Sequence, residues 1–403
     1  MRIAGLFLQG VGLGLFQLAY SDIVTAALPL RDRGVAGSLV LLTRTLGTVA
    51  AASIVLMTFE ILNAGQGFVQ AFQQSFQLAA MLAFAASALL AHAQTFPGSR
   101  PISIVVPFAA GGPTDLVARQ LGEAMRKALG GGANFVVENA AGAGGTIGAT
   151  KVARAQPDGH TLLLFHIGMA STPALYKKIA YKPLEDFEFL GLVNEVPMTL
   201  IGKPQLPANT YRDFENYIRA NAGKLNIAHA GLGSASHLCS LMWQSAVNAK
   251  EAMTTIPYGG TGPAMNALLG GQVDLMCDQT TNTTSQIESG RVKAFAVTTA
   301  KPLSRHKLLK DYPTLQEMGL KGFELTIWHG LYAPKGTPAA VLKTLNDGLK
   351  MALKDPDFIK KQEALGALVV ADGRLEPAAH KAFVAAEMAK LKPVIEAAGQ
   401  FAD

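Results

Sequence analysis

Short runs rich in valine and isoleucine alternate with helical patterns from residue 101 onward. This alternation predicts an α/β fold, in which helices cover parallel sheets. About 300 residues arranged in two such sets indicate two α/β lobes. The candidate strands are Ile102–Pro107, Asn134–Glu138, Thr161–Phe165, Phe187–Val193, Thr199–Gly202, Leu225–Ala230, Thr254–Pro257, Val273–Cys277 and Ala294–Thr299. The candidate helices are Asp115–Leu129, Thr210–Ala222, His237–Asn248, Pro263–Leu269, Ala339–Leu353 and Pro377–Ala398.

Charged residues are distributed unevenly along the chain. The first 93 residues carry seven of the 64 charged side chains, whereas the remaining 310 residues carry 57. Three apolar stretches, Ile3–Leu30, Thr45–Leu62 and Phe68–Ala91, each approach the roughly 20 residues that a bilayer-spanning helix requires. Residues 1–93 are therefore predicted to form an apolar helical membrane segment or a signal-like segment.

Three motifs in this segment are Ala27–Pro29, Arg33–Ala36 and Arg44–Gly47. On these motifs, residues 5–90 resemble the last three helices of a major-facilitator drug antiporter. Three helices do not make a transporter, because the binding cavity of that fold needs both six-helix halves. No transport activity is inferred from the resemblance.

Other interpretations of the N-terminal segment remain open. Ala91–Ala93 forms a small-x-small cleavage pattern before Gln94, but no basic region precedes its apolar core. Arg31, Arg33 and Arg44 favour a cytoplasmic position for the loop that they occupy. The segment is thus a membrane anchor, a cleaved signal, or the product of a gene fusion or an early start site.

The rest of the chain excludes several classes of site. Basic residues are scattered rather than gathered in a stripe with aromatic residues, so nucleic-acid binding is not predicted, although a mildly basic surface suits anionic ligands. The two cysteines, Cys239 and Cys277, form no C-x-x-C motif, and the eight histidines form no His-x-x-x-His pair. No metal site is predicted. The two cysteines either pair or remain buried thiols.

Four glycine-rich loops each follow a candidate strand and precede a helix. Glycine allows the backbone to approach a ligand closely, and a helix N-terminus offers unpaired N–H groups with a partial positive charge. Such loops bind anions without needing lysine or arginine. They meet at the carboxyl ends of the strands, which predicts a binding cleft between the lobes. The loops are Phe108–Asp115, Asn139–Thr146, Gly231–His237 and Tyr258–Pro263.

Sharper motifs are incomplete. Gly142 and Gly144 suggest a dinucleotide fingerprint, but Ile147 stands where the third glycine belongs. The sequence contains no phosphate-binding G-x-x-x-x-G-K-[ST] loop. Ser234 beside His237 raises the alternative of a hydrolase that acts on a carboxylate, although Gly-x-Ser-x-Gly is absent.

Seven segments in this order resemble the TctC/Bug receptors of tripartite tricarboxylate transporters over about residues 95–400. The agreement of seven segments in one order is far more specific than that of any single loop. One family pattern, Tyr-Lys-Gly, is altered to Tyr258-Gly259-Gly260, which removes a basic residue from the rim of the cleft. The matching segments are Val106–Arg119, Val137–Gly148, Pro157–Thr161, Gly233–Leu238, Pro257–Ala264, Gly270–Asp274 and Ala333–Pro338.

The resemblance implies a two-lobed periplasmic-binding-protein fold of type II. Lobe 1 would comprise 94–201 and 331–403, and lobe 2 would comprise 202–330, with hinge strands near Lys203 and Tyr332. The implied protein is a monomeric, non-enzymatic periplasmic receptor without a cofactor, tethered to the inner membrane if residues 1–93 are an anchor. Its partners would be a small organic carboxylate and the membrane subunits of the transporter, not nucleic acid.

The resemblance also implies the binding residues, which hold a carboxylate largely through main-chain N–H groups. His166 would line the cleft, and Asp278 would bind a substrate amine or hydroxyl or else cap the turn that follows it. Cys239 and Cys277 would pair. The residues carried over are Phe108, Gly111, Gly112, Thr114, Asp115 and His166 from lobe 1, and Ser234, Ala235, Ser236, Gly260, Thr261 and Asp278 from lobe 2.

Overall fold

The computed structural model describes residues 53, 55–65, 67–75, 77–79, 81, 96–98, 100–130, 132–249 and 253–398. The chain divides into two units between Thr95 and Phe96. The unit that begins at Phe96 contains all of the described strands.

Short helical segments occupy residues 55–65 and 68–75 of the first unit. No helix among the described residues is both long enough and apolar enough to cross a bilayer. The prediction of an apolar membrane segment and the resemblance to a major-facilitator antiporter therefore gain no support. Ile3–Leu30 and the signal-like residues 82–93 lie outside the described residues.

The second unit contains ten described strands, which form one mixed sheet. The strands are β1 (Ile102–Val106), β2 (Phe135–Asn139), β3 (Thr161–His166), β4 (Phe187–Gly202), β5 (Leu225–His229), β6 (Met253–Pro257), β7 (Leu275–Gln279), β8 (Lys293–Val297), β9 (Thr326–Pro334) and β10 (Leu368–Val369). Their order is β2-β1-β3-β9-β4-β7-β5-β6, with β8 and β10 also paired to β4. The strands β1, β2 and β3 are parallel, and so are β5, β6 and β7, as the alternation predicts.

The centre of the sheet departs from the prediction of purely parallel sheets. The long strands β4 and β9 run antiparallel to each other, and β4 pairs with β9 as far as Pro197. From Met198 onward β4 pairs instead with β7 and β8. The strand β4 is thus continuous where two strands were predicted, because the polar Asn194 and Glu195 interrupt the apolar run without breaking the pairing.

Helices cover both faces of the sheet, which is why β1 is apolar on both sides and why Ile104, Val105 and Val106 are fully buried. The helices are α1 (Pro113–Leu129), α2 (Thr146–Ala153), α3 (Gly168–Leu175), α4 (Tyr211–Ala220), α5 (Ala235–Ala246), α6 (Thr261–Leu269), α7 (Thr280–Glu288), α8 (Ala339–Ala352), α9 (Pro356–Ala364) and α10 (Pro377–Ala398).

Local sequence signals account for the position of α4. Thr210 accepts a hydrogen bond from the Asp213 N–H at 3.1 Å, and Asp213 accepts one from the Thr210 N–H at 3.2 Å, so that the two residues form a capping box. The buried face of α4 places Phe214 against Phe295, with ring centroids 4.1 Å apart. This stack fixes α4 on the sheet.

A disulfide joins helix α5 to strand β7. The Cα atoms of Cys239 and Cys277 lie 6.0 Å apart, and both residues are fully buried. The bond holds α5 against β7. The helix α5 begins at the glycine-rich loop Gly231–His237. Closing a loop of 38 residues restricts the unfolded chain and stabilises the fold by about 4 kcal/mol in the chain-entropy model.

Candidate ligand-binding cleft

The loop between β1 and α1 is held in shape by Asp115. Its carboxylate accepts hydrogen bonds from the Gly111 N–H at 3.1 Å, from two Arg119 nitrogens at 3.0 Å each and from Asn139 at 3.0 Å. Burial acts to raise the pKa of Asp115, but the bonds from Arg119, Gly111 and Asn139 outweigh it and hold the pKa below its ordinary value. The Asp115 carboxylate is therefore committed to the loop, which leaves the main-chain N–H of Asp115 for the predicted contact with a ligand.

The first turn of α1 leaves main-chain donors open toward the cleft. The first hydrogen bond of the helix runs from the Leu116 N–H to the Gly112 oxygen at 3.1 Å. The N–H groups of Gly112, Thr114 and Asp115 precede it, and Pro113 has none to offer. Because Arg119 neutralises Asp115, the helix dipole is the main fixed charge at this end of α1.

An aromatic pair forms the floor beside this helix. The ring of Phe108 stacks on His166 with centroids 4.6 Å apart, and both side chains are buried. His166 Nδ1 accepts the Gly168 N–H at 2.9 Å, and burial lowers the pKa of His166 to about 3. The ring is therefore neutral, and it carries its proton on Nε2, as a hydrogen-bond donor.

On the opposite side, the loop before α5 is organised by two serines. Ser234 Oγ accepts the His237 N–H at 3.2 Å and so caps α5. Ser236 Oγ accepts the Ala230 N–H at 2.8 Å. His237 Nδ1 in turn accepts the Gly233 N–H at 3.2 Å. These bonds give the serines and the His237 Nδ1 atom structural roles, which disfavours the hydrolase alternative.

Glycines let the N-termini of α1 and α6 meet across the cleft. A Cβ atom built on Gly260 would lie 2.9 Å from the Ala109 Cβ, and one built on Gly112 would lie 3.6 Å from Thr261 Oγ1. Any larger residue at Gly260 would thus push the two loops apart. The predicted residues Gly112, Gly260 and Thr261 lie together.

The other two glycine-rich loops also meet. Gly144 lies directly against the Leu232 carbonyl group. Tyr176 donates a hydrogen bond to the Leu232 oxygen at 2.8 Å, and Ser171 donates one to the Gly233 oxygen at 3.1 Å. The two pairs of loops also touch, because a Cβ atom built on Gly145 would lie 3.3 Å from the Phe108 ring and one built on Gly231 would lie 3.6 Å from the Tyr258 oxygen.

Comparison with known proteins identifies the family. Residues 117–400 match the model of TctC, the tripartite tricarboxylate transporter family receptor. The chain belongs to the TctC family. A relative, the UPF0065 protein in the TAR-I ttuE-ttuC' intergenic region of Agrobacterium vitis, is 48% identical over 311 residues, which cover 77% of this chain and 88% of that protein.

Solved structures share the fold of this TctC receptor. The periplasmic binding protein BugD is 51% identical with a TM-score of 0.72, and the match covers 75% of this chain and 98% of BugD. MatC from Rhodopseudomonas palustris with bound malate is 39% identical with a TM-score of 0.69, over 74% of this chain and 100% of MatC. The two-lobed periplasmic-binding-protein fold predicted from the sequence is confirmed.

Asp278 of this TctC family member holds the turn between β7 and α7. Its carboxylate accepts the Gln279 N–H at 2.8 Å and the Asn282 side-chain amide at 2.6 Å, as expected of the capping role. Burial raises the pKa of Asp278 to about 7, against the opposing hydrogen bonds from Asn282 and Gln279. The carboxyl group is therefore partly protonated at neutral pH.

Sequence reasoning missed two groups of buried polar side chains. At the start of α7 the buried atoms Gln279 Oε1, Thr280 Oγ1 and Thr281 Oγ1 have no hydrogen-bond partner in the described part of the chain. Hydroxyl-bearing residues at a strand-to-helix junction were the signal that could have identified them. The second is His329 on β9, which lies 6.0 Å from the His166 ring.

A crevice of about 340 Å³ adjoins two of the loops of the TctC receptor. Gly111 and Gly262 belong to its lining, and so do the polar residues Asn282 and Arg291. Within the described residues no group of histidine, cysteine, aspartate and glutamate side chains could hold a metal ion. The polar groups beside the loops are main-chain N–H groups, hydroxyls, the neutral His166 ring and Arg291.

Proposed function

We propose that this chain is a periplasmic receptor that captures a small carboxylate between its lobes and presents it to the membrane subunits of a tripartite tricarboxylate transporter. Membership of the TctC family and the fold that it shares with BugD and with malate-bound MatC support this function. The ligand is a di- or tricarboxylate or a related organic acid.

The observation that carries the proposal is that the glycine-rich loops, each of which leads into a helix N-terminus, pack against one another. The loops at Gly112 and Thr261 face each other, and so do those at Gly144 and Leu232. Each helix end contributes about half a positive charge, together with N–H groups directed at the ligand. An acid held this way needs no cationic side chain, which fits a cleft where Arg119 is already paired.

The sequence predicts lobes of residues 94–201 with 331–403 and of residues 202–330, but strand pairing moves these bounds by a few residues: β4 leaves β9 after Pro197, and Thr326–Gly330 of β9 pair with β3 and β4 in the first lobe. The hinge, however, belongs where β4 changes partners, between Pro197 and Met198. Tyr332 lies in the interior of the sheet, paired with Leu163 and Phe189, and is a poor pivot. Closure about this short segment brings the four loops together, as hinge motions do in other two-lobed receptors.

Calorimetric titration of the full chain with di- and tricarboxylates, aromatic acids and acidic amino acids tests the proposal. At least one acid should bind tightly. No heat from any member of the panel would contradict the proposed function.

One variant pair tests the role of the main chain. Ala235→Pro removes an N–H at the first residue of α5, and Ala339→Pro does the same at the first residue of α8, far from the four loops in sequence. The preceding residues, Ser234 and Pro338, already have the extended backbone that a following proline requires. A lost hydrogen bond to a carboxylate should weaken binding about 10- to 100-fold in Ala235→Pro only. Equal affinity in the two variants would exclude the Ala235 N–H from the site.

A further inference from the structure

A chain of buried polar side chains runs from the cleft into the first lobe. Thr114 Oγ1 lies 3.1 Å from His329 Nε2, and His329 Nδ1 lies 2.8 Å from Asn194 Oδ1. Asn194 donates to Gln362 Oε1 at 2.6 Å, and Gln362 donates to Gln120 Oε1 at 2.6 Å. The chain joins α1, β9, β4 and α9, and its members from Thr114 to Gln362 are all buried.

The hydrogen bonds fix the direction in which each proton points. Asn194 uses its NH₂ group on Gln362, so its Oδ1 atom faces His329 as an acceptor, and His329 Nδ1 must donate. Burial and the neighbouring His166 ring hold the pKa of His329 well below its ordinary value, so Nε2 carries no proton. The Thr114 hydroxyl therefore donates to His329 Nε2 and retains only lone pairs.

Thr114 is placed to offer those lone pairs to a ligand. It is the second residue of α1, in the turn whose N–H groups face the cleft, and it follows Gly112, which lies against Thr261. His329 stands beside His166 on the floor. An acid seated on the α1 N-terminus places the carbon next to its carboxylate within reach of this turn.

We propose that Thr114, oriented by His329, acts as a hydrogen-bond acceptor that selects acids bearing a donor, a hydroxyl or an ammonium group, on the carbon next to the carboxylate. The inference rests on the proposed function and adds a selectivity to it. An acid without the donor leaves the Thr114 lone pairs buried and unmatched. That mismatch should weaken its binding at least about tenfold.

Pairs of acids that differ by one group provide the test in the full chain. Malate and 2-hydroxyglutarate should bind at least about tenfold more tightly than succinate and glutarate, respectively. Aspartate and glutamate distinguish an ammonium donor from a hydroxyl donor. Equal affinities within every pair in the unmodified protein would overturn the inference. The loss of all binding would contradict the proposed function itself.

Three variants identify the residues responsible. The quantity to compare is the ratio of the affinity for an acid with the donor group to the affinity for the matching acid without it. Thr114→Val removes the hydroxyl and should bring this ratio close to one, whereas Thr114→Ser should preserve the ratio. His329→Leu frees the Thr114 hydroxyl to donate to a carboxylate, so the ratio should fall mainly because the plain acid binds better. Thr344→Val on α8 and His160→Leu at an exposed site are matched controls. An affinity ratio in His329→Leu equal to that of the unmodified protein would refute the role of His329 in orienting Thr114. If His329→Leu does not fold, the comparison of Thr114→Val with Thr114→Ser decides whether the Thr114 hydroxyl selects the ligand.

Discussion

Replacing Gly144 by alanine should separate the cost of closing the lobes from the cost of folding. The backbone at Gly144 has φ +61° and ψ 17°, in the left-handed region, where an alanine costs about 1–2 kcal/mol. Its Cβ would also overlap the Leu232 carbonyl oxygen and lie 2.9 Å from the Tyr176 hydroxyl. Cβ atoms essentially never come within 3.0 Å of another heavy atom, so the two loops must move apart.

The overlap between the alanine Cβ atom and Leu232 arises only when the lobes are closed and the two loops meet. Gly144→Ala should therefore bind its acid at least about 100-fold more weakly, which corresponds to about 2.7 kcal/mol of lost closure energy. Gly290→Ala is the matched control, because Gly290 has φ +67° and a Cβ there would meet nothing within 4 Å. Gly290→Ala therefore introduces the left-handed backbone strain without a steric overlap.

Two assays on both variants distinguish these effects. Urea denaturation without ligand should give a similar loss of about 1–2 kcal/mol in the free energy of unfolding. Calorimetric titration should show weak binding only in Gly144→Ala. Unchanged affinity in Gly144→Ala would refute the reasoning, because it would mean that the Gly144 and Leu232 loops do not meet in the bound state.

Three further outcomes follow from the structure. Replacing Cys239 and Cys277 by alanine should lower the free energy of unfolding by about 4 kcal/mol, and a reductant should then have no further effect on the urea midpoint. Burial lowers the pKa of His380 from 6.5 to about 3, so between these pH values the unfolded chain binds a proton that the folded chain does not. On acidification through this range, the unmodified protein should lose about 1.4 kcal/mol of unfolding free energy per pH unit more than His380→Leu. Parallel stability-versus-pH profiles of the two proteins would contradict this. Tyr176→Phe removes the 2.8 Å bond to Leu232 and should raise the ligand dissociation rate about two- to tenfold in stopped-flow experiments, whereas an unchanged rate would show that this bond does not hold the closed form.

Local patterns predicted much of the architecture. The strands β1, β3 and β5 follow from short apolar runs, and the glycine-rich loops follow from the need for tight strand-to-helix turns. The strand β9 was missed, because Trp328, His329 and Gly330 interrupt its apolar pattern. Its place in the sheet depends on pairing with β3 and β4, which are distant in sequence.

The same limit applies to individual residues of the cleft. The sequence did not reveal that the fold brings Asn139 from β2 to Asp115 and so commits the Asp115 carboxylate to the loop. Thr114 and His329 are 215 positions apart, so no local pattern connects them. Residue type and spacing therefore located the loops, while the role of each side chain depended on partners that only the folded chain brings together.

A crystal structure of the full chain with its tightest-binding acid is the most direct test of the central claim. A carboxylate oxygen should accept hydrogen bonds from main-chain N–H groups at the start of α1 and of α5 or α6, with Gly112 and Gly144 still packed against the opposite lobe. An acid bound instead beside Arg291 in the neighbouring crevice, with the four loops apart, would contradict the account.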